Sequence, residues 1–182
     1  MIYGNIEGIR ESQLNELERL YGMEFARDEF LPDRLLALLV RFTQALNREI
    51  MVYLGRDGSV LEIAVGSASN VGLPELHLRR NTQRLAGFRC IHTHPGGDAR
   101  LSIVDEQALR LLRFDAMCAI GVGEQYCTGI TAAFLGEVEY GRLSIVTYGP
   151  VKPGRIPHKT WLREIELAEE RVGRAIAEGG TV

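Results

Sequence analysis

The sequence predicts a mixed α/β fold, of the α/β or α+β class, with a mixed β-sheet flanked by helices. Two observations support this prediction. Apolar residues recur at helical spacing in several segments, whereas other segments are short β-rich runs bounded by turn residues. The two kinds of segment follow one another without strict alternation. With 182 residues, of which 46% are hydrophobic, the chain is long enough for one domain with a sizeable core.

Four helices are predicted in chain order. The first covers 12–22, where leucines recur every three residues and a glycine ends the pattern. The second covers about 33–47 and follows a proline. It is apolar around much of its circumference, so we expect it to be buried. The third covers 102–113, and the last covers 159–177.

The strands are predicted from β-rich runs and turn signals. Residues 48–67 are typical of a β-hairpin, with Asp57-Gly58 as the turn dipeptide. The segment 66–86 that follows is loop-like. The segment 149–157 is rich in proline and glycine and interrupts the pattern before the last helix. Further strands are expected over 87–93, 116–122, 130–135 and 143–148.

Composition excludes several classes of protein. The formal net charge of -3 argues against a general nucleic-acid binder or membrane-surface binder. We find no apolar run of the roughly 20 residues that a membrane span requires. The three cysteines show no CxxC spacing, which is typical of a reducing compartment. A P-loop pattern is also missing, so no nucleotide-binding residues are assigned. We therefore expect a cytoplasmic protein.

The chain is expected to comprise three regions: an N-terminal helical segment (1–31), a main domain (32–150), and a Pro-rich connection with an amphipathic helix (151–182). The apolar stripe of that helix includes Trp161, which is costly to leave in water. The helix must therefore pack on this domain, pair with its copy in a homodimer, or contact a further domain. The full stripe is Trp161, Ile165, Ala168, Val172 and Ile176.

A candidate metal site lies at the end of the strand predicted over 87–93. His92 and His94 are two residues apart, so both side chains project from one face of a strand. A catalytic zinc typically takes three protein ligands and one water. Asp105 can supply the third ligand, because the helix predicted after Ser102 would carry it back over the strand end. The pattern predicts one zinc ion per chain.

A general base and a hydroxyl donor are the other expected parts. Glu49 begins the first strand beside apolar residues and is the leading candidate for the base that acts on the attacking water. An alternative explains Ser102 and Asp105 without any metal, because Ser-x-x-Asp is also a capping box. Cys90 lies on the same strand face as the histidines, and we expect it to be a small buried apolar residue rather than a ligand.

The motif from His92 to Asp105 resembles the HxHPx6SxxD signature of JAMM (MPN-type, JAB) metalloproteases. With Glu49 leading the hairpin, it is also similar to the RadC branch. The resemblance covers roughly 33–148. It implies a JAMM/MPN-like (cytidine-deaminase-like) sheet, three zinc ligands (His92, His94 and Asp105), Glu49 as base, and Ser102 as the donor that steadies the oxyanion. The family usually has a helix where this chain has its irregular segment 66–86.

A second resemblance extends over the whole chain. Stretches such as GNIEGIRESQLNELERLYG and RLAGFRCIHTHP look like the N-terminal region of HflX-type GTPases, in which a GTP-binding domain follows and the protein associates with ribosomes. Two functions are therefore expected as rivals. The first is zinc-dependent hydrolysis of a peptide or isopeptide bond. The second is a non-catalytic binding or regulatory module of a ribosome-associated GTPase.

Overall fold

The computed structural model describes residues 1–72, 84–156 and 158–179. In this part of the chain, a mixed seven-stranded sheet is combined with four α-helices. One turn of 3₁₀ helix, Arg19–Gly22, follows the first α-helix. The strands are β1 Tyr3–Gly4, β2 Ile50–Gly55, β3 Val60–Val65, β4 Phe88–Pro95, β5 Ala116–Val122, β6 Cys127–Glu139 and β7 Arg142–Val151, and the helices are α1 Glu11–Glu18, α2 Asp33–Leu46, α3 Ile103–Leu112 and α4 His158–Ala177.

The sheet has the order β1-β3-β2-β4-β5-β6-β7. Two neighbouring pairs are parallel, β1 with β3 and β4 with β5, and all others are antiparallel. Parallel neighbours need a crossover connection, and α3 provides it between β4 and β5. The crossover returns the chain over the sheet directly after β4, which is the strand that carries the two histidines.

The side chains of β4 alternate between two buried faces of the sheet. Thr93 faces α2, because its hydroxyl oxygen lies 2.6 Å from that of Thr43. His92 faces the opposite side, where its ring lies beside Asp105 of α3. Residues of a central strand are buried on both faces when both faces of the sheet are covered. The first six residues of β4 are all buried in this way.

The predicted helices and hairpin are present, with corrections at several positions. Helix α2 is amphipathic rather than buried all round, since Arg34 and Arg41 are exposed on the side opposite its core-facing leucines. Strands β6 and β7 are longer than predicted. The interruption expected from residue 149 begins later, because β7 continues to Val151 and Pro150 is tolerated in this edge strand. Strand β1 was not predicted. Residues 73–83, in the segment expected to be loop-like, lie outside the described residues.

The predicted apolar stripe of α4 packs on the same chain. Trp161, with 2% of its surface exposed, contacts the ring of Phe30 at a centroid distance of 5.9 Å. Ala175 is buried in the last turn, whereas Ile176 is only partly buried. The N-terminal region enters the same core through Leu17, Leu20 and Phe30. None of the helices in the described residues combines the length and the hydropathy that a membrane-spanning segment requires.

Candidate metal centre

The end of β4 places the two histidines at a junction between the sheet and solvent. His92 is buried, with 1% of its side chain exposed, and His94 is partly buried. Their ring centroids lie 4.8 Å apart on one face of the strand. Pro95 ends the strand, and Gly96 and Gly97 follow with φ angles of 87° and 88°. Such angles favour glycine, so these residues permit the chain to turn sharply away after His94.

Asp105 reaches the histidines from the first turn of α3. Its Oδ1 atom lies 3.5 Å from Nε2 of His92. Its Oδ2 atom accepts hydrogen bonds from the backbone N–H of Ser102 at 2.8 Å and from the Ser102 hydroxyl at 2.7 Å. The Ser102 hydroxyl oxygen in turn accepts the N–H of Asp105 at 3.1 Å. The capping box is therefore present, and it leaves the second carboxylate oxygen directed at His92.

The charge of Asp105 is stabilised by these neighbours. Burial on its own raises the pKa of Asp105. The His92 ring and the hydrogen bonds from Ser102 outweigh that effect and hold this pKa well below its ordinary value. The carboxylate is therefore ionised at neutral pH, as a metal ligand requires.

His92 has no hydrogen-bond partner for either ring nitrogen among the described residues, although both nitrogens are buried. One nitrogen of a neutral imidazole is a donor and the other is an acceptor, and leaving either without a partner costs free energy. Native proteins satisfy nearly all buried polar groups. A cation bound beside Asp105 would give one of these nitrogens a partner.

His94 is held in an orientation that suits a ligand. Its Nδ1 atom lies 2.9 Å from the backbone carbonyl oxygen of Asp98, which can only accept a hydrogen bond. Nδ1 therefore carries the proton, and Nε2 is left with a free lone pair. Burial, followed by the charge of His92, lowers the pKa of His94 and favours the neutral ring that binds metals.

The loop that carries the Asp98 carbonyl is anchored on neighbouring strands. The Thr128 hydroxyl donates to the Gly97 carbonyl oxygen at 2.5 Å. This oxygen passes so close to β5 that a Cβ on Gly121 would lie 2.6 Å from it. Only glycine fits at that position, and it lies beside His94 in the β4–β5 register. The contact that orients His94 could not be predicted from the sequence, because it is made by the backbone oxygen of Asp98 and not by a side chain.

Glu49 lies immediately before β2, next to the strand of the histidines. Its backbone is fixed to the end of β3 by two hydrogen bonds, from its N–H to Ser67 at 2.8 Å and from the Gly66 N–H to its carbonyl at 2.9 Å. The residue is 7% exposed. Burial raises the pKa of Glu49 to about 7, with a smaller contribution from the charge of Asp105 that is opposed by His92. A carboxyl with this pKa can both accept and donate a proton at neutral pH.

His92, His94 and Asp105 form a group that could hold a metal ion, since their ligand atoms all lie within 4.8 Å of one another. Tetrahedral zinc with bond lengths of 2.0–2.1 Å has ligand atoms about 3.3 Å apart. The separation of 3.5 Å between His92 and Asp105 is already close to this value. The two imidazoles and the carboxylate are also donor types that zinc accepts. The residues present fit the ion, provided that the set contracts slightly.

The remaining candidates occupy different positions. Ser102 caps α3 and has its hydroxyl hydrogen directed at Asp105. Cys90 is fully buried two residues before His92, and burial raises the pKa of its thiol well above the usual value. A protonated thiol is a poor metal ligand. Its position agrees with the expectation of a small buried apolar residue.

Comparison of the chain with protein-family models, curated proteins and solved structures finds no match.

Proposed function

We propose that this protein is a zinc-dependent hydrolase of amide bonds, of the JAMM type, that acts on a peptide or isopeptide. The observation that carries the proposal is the combination at the end of β4. There, the His-His-Asp group includes the buried His92, whose two ring nitrogens have no hydrogen-bond partner among the described residues. The buried carboxyl of Glu49, which interacts with the charges of His92 and Asp105, has a pKa raised to about 7. Purely structural polar groups are normally satisfied, and perturbed groups of this kind cluster at functional sites.

His92, His94 and Asp105 would hold the ion. Zinc bound there would supply a Lewis acid that polarises the substrate carbonyl and acidifies the attacking water. Glu49 would take a proton from that water and deliver it to the nitrogen of the leaving amine. A pKa near 7 suits both transfers, because neither protonation state is strongly disfavoured at neutral pH.

Ser102 would serve first as a positioning residue. Its hydroxyl and its N–H both donate to the outer oxygen of Asp105, which orients the inner oxygen towards His92. Stabilisation of an oxyanion by Ser102 would require its hydroxyl to turn away from Asp105 when substrate arrives. The three free thiols are consistent with a cytoplasmic location for the enzyme.

The test is hydrolysis of a peptide library by zinc-loaded protein, with Glu49→Gln as the variant. We expect this variant to retain zinc and fold but to lose at least about 10²-fold in turnover, as general bases contribute. Glu106→Gln makes the same chemical change one residue after Asp105 and should remain as active as the wild type. Equal activity of Glu49→Gln and wild type would remove Glu49 from the mechanism. A wild type that binds zinc but hydrolyses nothing would favour the binding-module alternative.

A further inference from the structure

Two threonine hydroxyls meet behind the candidate metal centre, on the opposite face of β4 from the histidines. Oγ1 of Thr93 lies 2.6 Å from Oγ1 of Thr43 in α2. Both residues are buried, with 0% and 1% of their surface exposed. Because side chains alternate along a strand, Thr93 points away from the metal ligands that flank it. Any effect of this pair on the site must therefore pass through the backbone.

The Thr93 hydroxyl binds the backbone at the start of β2. It accepts the N–H of Ile50 at 2.9 Å, and its oxygen lies 3.5 Å from the Ile50 carbonyl oxygen. The residue pairing of β2 with β4 ends at Met51 and His92, so Ile50 and Thr93 are the next residues beyond this end of the ladder. The side chain of Thr93 thus adds a hydrogen bond just beyond the end of the strand ladder, at a buried N–H that would otherwise need another partner.

This contact joins the two parts of the proposed mechanism. Ile50 directly follows Glu49, and Thr93 lies between His92 and His94. A single hydroxyl therefore connects the residue next to the proposed base with the residue between the proposed ligands. Thr43 adds α2 to the same point, so that three elements are fixed together.

We propose that Thr93, supported by Thr43, is a positioning residue that holds Glu49 at a fixed distance from the metal ligands. This inference depends on the proposed function, because it assigns Glu49 and the histidines their roles. Thr93 touches neither ring, so its hydroxyl sets the alignment of the base and not the affinity of the site. Misalignment of about 1 Å at a reacting group can cost on the order of 10²-fold in rate.

Thr93→Val removes the hydroxyl but keeps the size and β-branching of the side chain. We expect this variant to retain one zinc per chain and to lose about 10-fold to 10²-fold in kcat, with KM little changed. Amide hydrogen exchange of Ile50, measured in the zinc-free protein, should accelerate at least about 10-fold because its acceptor is gone. Thr93→Ser restores the hydroxyl and should return both readouts to near wild type.

Two further variants make the test specific. Thr131→Val makes the same change at a buried threonine whose hydroxyl has no hydrogen-bond partner among the described residues, so both readouts should stay at the wild-type level. Thr43→Val leaves the bond between Ile50 and Thr93 in place and should move both readouts in the same direction by a smaller factor. If Thr93→Val fails to fold, Thr43→Val carries the test.

The outcomes separate this inference from the proposed function. Unchanged exchange at Ile50 in Thr93→Val, or equal acceleration in Thr131→Val, overturns the inference. So does faster exchange with unchanged kcat, because the contact would then be structural only. A wild type that neither binds zinc nor hydrolyses peptides overturns the proposed function and with it the positioning role, even where the exchange data show that the hydrogen bond exists.

Discussion

Asp115 and His92 are both buried polar residues of the central sheet region, but their hydrogen-bonding environments are opposite. Asp115, just before β5, accepts hydrogen bonds from the Arg56 guanidinium and from the Gly87 N–H at 2.9 Å. His92, in the neighbouring strand β4, has no partner for either ring nitrogen among the described residues. The chain thus satisfies Asp115 from within. This difference supports the proposal that His92 binds a cation.

Arg89 extends the comparison to a buried cation. It lies on β4 three residues before His92 and is completely buried. Its guanidinium donates to the backbone carbonyl oxygens of Phe30 at 2.8 Å and Glu29 at 2.9 Å, and it stacks over the Trp161 ring at 4.6 Å. This buried charge therefore has partners, whereas both nitrogens of the buried His92 ring on the same strand have none among the described residues. In the described part of the chain, Thr131 and Trp161 also have an unpartnered buried side-chain atom, but only one each.

The largest expected loss of stability comes from removing Arg56, which donates hydrogen bonds to the buried Asp115. The side chain of Arg56 is 40% exposed, whereas that of Asp115 is fully buried. Among the described residues, Arg56→Ala leaves the Asp115 carboxylate with the Gly87 N–H as its remaining hydrogen-bond donor. Leaving a buried acceptor without its partner costs about 1–3 kcal/mol, and more for a charged group, so we expect a loss of about 3 kcal/mol in the free energy of unfolding at pH 7. Urea denaturation measures this loss.

The matched control for that variant is Arg163→Ala. Arg163 pairs with Glu166 at 3.2 Å, but both side chains are exposed. Exposed pairs contribute about 0–1 kcal/mol, so this variant should be nearly as stable as the wild type. An equally small loss in both variants would show that the Arg56–Asp115 pair is not needed for stability.

Glu49 is a further buried polar residue, and its burial makes the free energy of unfolding depend on pH. Burial raises its pKa from an ordinary 4.5 to about 7, so the folded, metal-free protein binds this proton more tightly than the unfolded chain does. The resulting stabilisation is present below about pH 4.5 and is lost as the pH rises through about 7. Glu49→Gln carries no such proton. Its stability advantage over the wild type should therefore grow with pH by up to about 3 kcal/mol and level off above pH 7.

Urea denaturation between pH 4 and 8, in the presence of a chelator, measures that difference. A stability difference between Glu49→Gln and wild type that stays constant over this range would contradict the account. It would mean that the carboxylate is as well solvated in the folded protein as in the unfolded chain. The proposed base would then lack the raised pKa that suits it to proton transfer.

Local patterns in the sequence were sufficient to predict most helices and the hairpin. The spacing from His92 to Asp105 also placed three candidate ligands together, because a helix that follows β4 must cross back over the sheet. Strand β1 could not be predicted in this way, since Tyr3 pairs with Ala64 and its signal is only two residues long. The same limit applies to Thr43 and Thr93, which meet only in the folded structure.

Ser102 and Asp105 were predicted to form either a helix cap or part of a metal site. The sequence allowed a capping box or a metal ligand as alternatives, and one carboxylate has two oxygens. The structure uses Oδ2 of Asp105 for the cap and leaves Oδ1 beside His92. The two interpretations are compatible, which could not be deduced from the spacing, because it does not define the rotamer of the aspartate.

Calorimetric titration of chelator-stripped protein with zinc measures whether His92, His94 and Asp105 bind one zinc ion. The matched variant is His92→Leu, which removes one ligand together with its 3.5 Å contact to Asp105. Without metal its free energy of unfolding should stay within about 1 kcal/mol of the wild type, because it removes two unsatisfied nitrogens and also the contact that stabilises the Asp105 carboxylate. Its loss of zinc binding could then not be ascribed to unfolding.

We expect one zinc per chain for the wild type and none for His92→Leu. Zinc at 100 times its Kd should also raise the free energy of unfolding by about 2.7 kcal/mol in the wild type alone. Wild-type protein that takes up no zinc from an equimolar solution, or a His92→Leu variant that takes up as much as the wild type, would contradict the account.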